Sequence, residues 1–221
     1  MKRLIYVIGT LLILIGTSPA LSDTLTFEYN IEFSEATPPA GVTPWLTATF
    51  EDTATGVQLT MSNIGLTGSE FSSAWYFNLD PALDPKLLIF TVVNNSASVP
   101  NSIDTEVNAF QADGDGLYDI LFNFPPPPGN NGSKFTAGEE VIYNISYSGA
   151  GPFNVDSFDF LSYPAGGHGP FLAATHVQGI GSEGEDSGWV APGTPVPEPS
   201  TLLLIGSGLI GLWGFRKKFK K

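Results

Sequence analysis

The chain of 221 residues contains no cysteine, so no disulfide holds it together and its stability has to come from burial. Basic side chains are nearly as scarce where they would matter. Of nine Lys and Arg residues, seven (Lys2, Arg3, Arg216, Lys217, Lys218, Lys220, Lys221) sit at the two ends, leaving Lys86 and Lys134 in between. All 22 acidic residues lie between Asp23 and Glu198, so two basic against 22 acidic residues give this middle part a net charge of about −20. A body of that charge repels nucleic-acid phosphates and anionic membranes, which removes both from the expected partners. Divalent cations and neutral or basic surfaces stay open, and solubility outside the cell accounts for the acidity with nothing further. The body between the two ends also lacks a helical period longer than two turns, and the chain has no GxSxG, P-loop or HExxH motif. A non-enzymatic protein is therefore expected, although so acidic a chain leaves the paired carboxylates of a glycosidase open.

What is present at the ends is directional. Lys2 and Arg3 precede an apolar run from Leu4 to Gly16, and Thr17-Ser-Pro-Ala-Leu-Ser22 follows. This is the pattern of a secretory signal peptide, residues 1–22, with cleavage expected after Ser22 or, alternatively, after Ala20. A permanent amino-terminal anchor is the other reading. At the far end, Leu202 to Phe215 (LLLIGSGLIGLWGF) carries no ionisable residue. As a helix it would be about 21 Å long, short of the ~30 Å hydrocarbon core, and snorkelling of Arg216 and Lys217 narrows the gap. The basic residues 216–221, with Arg216, Lys217 and Lys218 leading, stay cytoplasmic by the positive-inside rule, which puts the body outside.

Between body and apolar run stand Pro197, Glu198 and Pro199. Two fixed φ angles and two missing N–H groups keep this tripeptide extended and out of a helix. Pro-Glu-Pro, a short glycine-containing apolar run and an arginine-led basic end resemble, over Val196 to Lys221, the PEP-CTERM sorting signal. The resemblance implies a substrate of exosortase, the membrane-embedded processing enzyme of Gram-negative bacteria that make extracellular polysaccharide. It also implies passage through the secretion translocon, a transient stay in the inner membrane, and delivery to the outer envelope or extracellular matrix.

The body reads as strands. Thr24 to Phe33 puts Leu25, Phe27, Tyr29, Ile31 and Phe33 on one side. Trp45–Glu51 and Val57–Met61 flank Asp52-Thr-Ala-Thr-Gly56 as a β-hairpin. Further strands are expected at 71–79, 87–93, 106–110, 118–124, 140–147, 157–160 and 172–177. Many short strands and frequent turns predict an all-β, antiparallel two-sheet sandwich of jelly-roll type over residues 23–178. Residues 179–195 read as a flexible acidic linker, and 196–221 as the sorting signal with a transmembrane run at 202–215.

Three constellations are candidates for binding. Asp113, Asp115 and Asp119, with Gly116 permitting a sharp turn, could converge oxygens on calcium; Asp-Gly is also a hairpin turn in its own right. The sequence departs from an EF-hand, because Gln111 and Phe122 stand where acidic ligands would be. His168 and His176 could join an acidic neighbour at zinc or serve packing and hydrogen bonds. Trp45, Trp75, Tyr76 and Trp189 could offer faces to sugar rings of exopolysaccharide, but consecutive Trp75 and Tyr76 must point to opposite sides of a strand. A carbohydrate-binding module, a polysaccharide-active enzyme and a plain membrane-anchored surface protein are thus the alternatives.

Overall fold

Alternation in the first strand is visible directly in burial. The computed structural model describes residues 23–93, 98, 100–124 and 134–193. In β1 (Thr24–Glu32), Phe27 and Tyr29 are buried while Thr26, Glu28 and Asn30 are exposed. A bulge between Tyr29 and Ile31 then reverses the side on which residues point. Ile31 is therefore exposed, and Phe33 joins a cluster on the other face, where unbroken alternation would have kept both inside.

The remaining strands are β2 (Leu46–Thr53), β3 (Gly56–Ser62), β4 (Phe71–Phe77), β5 (Leu88–Val92), β6 (Ser102–Ala112), β7 (Asp115–Asn123), β8 (Phe135–Thr136), β9 (Glu140–Tyr147), β10 (Ala173–Ile180) and β11 (Asp186–Pro192). The β2–β3 hairpin falls where the Asp52–Gly56 turn predicts it, with Thr53 opposite Gly56. Two short 3-10 turns, Pro85–Leu87 and Val155–Phe158, complete the described elements. The second replaces the strand expected at 157–160: Ser157 Oγ accepts from the Asn154 N–H at 3.2 Å and the Ser157 N–H returns to the Asn154 carbonyl at 3.0 Å. Such local bonds compete with a ladder.

The strands form one antiparallel sheet in the order β5-β9-β3-β2-β1-β11-β10-β4-β7-β6, with β8 beside β4. The hydrogen bonding thus differs from two separate sheets of a jelly-roll sandwich. The sheet curls into a nearly closed, barrel-like wall whose halves face one another. Phe50 of β2 meets Phe77 of β4 edge-on at 5.4 Å, and Tyr29 of β1 meets Trp75 of β4 at 5.2 Å. At the open seam, Phe90 of β5 and Phe122 of β7 are 5.3 Å apart. Aromatic pairs of this kind each contribute about 0.5–1.5 kcal/mol beyond their burial. In a chain without disulfides, Trp75, Tyr29, Phe50, Phe77, Phe122, Phe124, Phe135 and Phe158 are all fully buried here.

Residues 179–193 overturn the expected flexible linker. Ile180 ends β10, a turn follows, and β11 lies near the middle of the sheet between β1 and β10. The glycines that suggested flexibility are places of close approach. A Cβ on Gly179, at φ +76°, would stand 2.3 Å from the Ser69 carbonyl oxygen, and one on Gly188 would stand 2.7 Å from that of Thr37.

Candidate functional site

The Asp113 region forms a turn. Asp113 and Gly114, with φ of 45° and 72°, are the two loop residues between Ala112 and Asp115, which face each other as β6 passes into β7. Asp113 is exposed at the tip. Asp115 opens β7, and Asp119 lies about 13 Å further along the strand at the usual rise. The Asp119 carboxylate is buried and committed elsewhere: Oδ2 accepts from the Leu79 N–H at 2.9 Å and Oδ1 from the Asn108 N–H at 2.7 Å. It ties the exit of β4 to the bulged part of β6. Among the described residues, no group of three His, Cys, Asp or Glu side chains is placed to hold a metal ion.

Asp119 belongs to a wider pattern. Buried Glu70 accepts from the Ala40 and Thr67 N–H groups, both at 2.7 Å, joining two loops. Glu139 Oε2 accepts from the Thr136 N–H at 2.6 Å and from Ser98 Oγ at 2.7 Å. Asp52 Oδ1 accepts from the Val155 N–H at 2.9 Å. Hydrogen bonds to a charged acceptor are stronger than neutral ones, so these carboxylates fasten loops that have no cross-link. The sequence offered acidity as a bulk property; which carboxylates would turn inward depended on loops brought together from distant positions.

The outer face of the sheet carries the second cluster. Trp189 of β11, half-buried, stacks on His176 of β10 at 4.5 Å and contacts Tyr76 of β4 at 5.6 Å. Ser73 Oγ lies 3.0 Å from His176 Nδ1 and accepts from Gln178 Nε2 at 2.9 Å. Burial lowers the His176 pKa below its ordinary value, and the Asp113 charge partly offsets this. His168 is exposed, with its ring 6.4 Å from that of Phe33, and does not join His176. Of the candidate sugar-facing rings, Trp45 and Trp75 are buried in the interior, and Tyr76 points to the opposite face from Trp75, as consecutive strand residues must. Trp189 and Tyr76 alone of the four share the outer face.

The third region is the chain's way out of the sheet. β11 ends at Pro192, and the Gly193 N–H donates to Asn30 Oδ1 at 2.8 Å. Pro197, Glu198 and Pro199, like Arg216, Lys217 and Lys218, the leader 1–22 and the apolar run 202–215, lie outside the described residues. Among the described residues no helix is long and apolar enough to cross a membrane.

The described residues define an acidic, antiparallel all-β domain whose last described strand, β11, ends at Pro192. The family model of the PEP-CTERM protein-sorting motif matches residues 195–218, beginning two residues after Gly193. The chain therefore carries a PEP-CTERM sorting motif, which implies exosortase-dependent export and sorting to the surface. No curated protein and no solved structure matches the chain.

Proposed function

We propose that this protein is a non-enzymatic β-domain cargo, processed by exosortase at Pro197, Glu198 and Pro199 and delivered to the outer envelope or extracellular polysaccharide matrix of a Gram-negative bacterium. The observation that carries this reading is the position of the motif at residues 195–218, past the last described strand. Cleavage within or beyond Pro-Glu-Pro removes none of the described strands, so the domain survives release with β11 still between β1 and β10. Arg216, Lys217 and Lys218 hold the tail's far end in the cytoplasm until the cut.

A passive body is supported by the chemistry of the Ser73–His176 contact. Ser73 is buried, its hydroxyl is shared with Gln178, and His176 is stacked against Trp189. A nucleophile needs an accessible hydroxyl oriented towards substrate, and this one is enclosed. The test is replacement of Pro197, Glu198 and Pro199 by alanine in the producing bacterium. Full-length protein is then expected to accumulate in the inner membrane, and unchanged processing and release would overturn the assignment.

A further inference from the structure

Two residues of β10 and one of β4 meet on the outer face at a break in the ladder. Ala74 lies opposite His176 and Ser72 opposite Val177, so Ser73 is the extra residue of a bulge. A bulge re-aims its side chain. Here it sets the Ser73 hydroxyl 3.0 Å from His176 Nδ1 and 2.9 Å from Gln178 Nε2. The triangle is closed by Gln178 Nε2, which lies 3.2 Å from His176 Nδ1.

These contacts fix where the protons are. The Gln178 NH2 group can only donate, so Nδ1 accepts from it and carries no proton of its own. The imidazole is then a base beside a hydroxyl, and burial favours its neutral form. The carboxamide is an acyl group whose leaving nitrogen sits within reach of the same base. Its Cδ is one bond of about 1.3 Å from Nε2, so it lies within about 4.2 Å of Ser73 Oγ. A shift of about 1 Å brings the two to the roughly 3–3.5 Å of an attacking pair. Enclosure keeps an outside substrate from this hydroxyl, but Gln178 is already inside.

We infer that Ser73 and Gln178 join once per folded chain as an intramolecular ester, with His176 Nδ1 carrying the proton. Ser73 Oγ bonds to Gln178 Cδ while its proton passes to Nδ1, and the carbonyl π pair moves onto Oε1. When that pair returns, the Cδ–Nε2 bond breaks. The nitrogen keeps the bonding pair, takes the proton from Nδ1 and departs as ammonia. One hydroxyl and one carboxamide thus become one ester and one ammonia, with nothing oxidised or reduced. Protonation and dilution of the ammonia draw the exchange forward, and half-buried His176 and Gln178 leave it a way out. Trp189, stacked on His176, and the burial of Ser73 then screen the ester from water. The bond ties β4 to β10 and closes a segment 105 positions long that contains β5 to β9. In a chain without cysteine it supplies a covalent tie, and ties across long loops restrict the unfolded chain most. A single event per chain stands beside the passive body proposed above.

Peptide mapping of the full chain by mass spectrometry tests this directly. Cleavage after Lys86 and Lys134 puts Ser73 and Gln178 on different peptides. The two are expected to appear joined, lighter than their sum by one ammonia; separate peptides at their sequence masses overturn the inference. Hydroxylamine, which cleaves esters and spares ordinary amides, should part them, and a joined peptide that withstands it overturns the ester. Ser73→Ala is expected to leave the peptides apart, and joining in that variant overturns the part given to Ser73. His176→Phe keeps a ring over Trp189 and removes the base, so joining in newly made protein should slow about a hundred-fold or more. An unchanged rate overturns the part given to His176. The map of the parent chain decides the main point even where a variant fails to accumulate, and it does not depend on processing at Pro197, Glu198 and Pro199.

Discussion

Both faces of the sheet are aromatic, yet they are built on different terms. On the inner face Phe50 stacks on Phe158 at 4.4 Å and meets Phe77 edge-on, with every one of these rings fully buried. On the outer face Trp189 lies half-buried over His176 and Tyr76, and the polar atoms of Ser73 and Gln178 are woven between them. The same two strands feed both: Val190 and Val177 point in while Trp189 and His176 point out. Alternation delivers residues to two environments, and the environment then decides their work. The interior supplies stability through area removed from water; the exterior couples strands through a titratable group.

The comparison can be broken most decisively from the inside. Phe50→Ala is expected to cost about 3–5 kcal/mol in urea unfolding, since a fully buried ring leaves a cavity the sheet cannot close. Trp189→Ala should cost no more than about 1–2 kcal/mol, part of it the lost ring contacts. Equal losses at the two positions would erase the distinction. Between them falls Asp119→Ala, at about 2–3 kcal/mol, because the Leu79 and Asn108 N–H groups lose their acceptor together; Asp119→Asn should recover part of this through its remaining oxygen.

A smaller effect sharpens the contrast by pH. His176 has a folded pKa below its unfolded value, so its contribution is complete above about pH 6.5 and is lost as pH falls through the folded value. Urea midpoints measured from pH 7.5 to 5 should therefore fall more steeply for the parent than for His176→Gln. Asp113→Asn should steepen the fall, since the Asp113 charge partly supports protonation. A parallel course for parent and His176→Gln would remove His176 from the account. The least change is expected of Lys86→Ala. Its 2.6 Å contact with Glu106 spans the seam between the Pro85–Leu87 turn and β6, but both side chains are about half exposed, and the urea midpoint should not move.

Much of the sheet was legible because burial on one face imposes a period of two on the sequence. The hairpin at Asp52–Gly56 and the opposition of Trp75 and Tyr76 were readable for that reason. β11 was not. Asp186-Ser-Gly-Trp-Val-Ala-Pro192 has turn-like composition at its start, and its strand conformation comes from lying between β1 and β10. The bulge at Tyr29–Ile31 likewise had no local mark, and it sent Phe33 to the outer face. Among the candidate site residues, the Asp113–Gly114 turn was readable from Asp-Gly itself, while the inward commitment of Asp119 required Leu79 and Asn108 to arrive from other strands.

By itself the sequence determined the all-antiparallel character, the acidity of the body and the sorting tail, because strand period, charge and the order Pro-Glu-Pro, apolar run, basic end are properties of contiguous residues. Tertiary structure alone decided that the strands form one curled sheet, that β11 lies near its middle, and that Gly193 at its end meets Asn30 of β1. Those depend on which distant backbone groups find one another, and hydrogen-bond partners separated by more than a hundred residues leave no trace in local order.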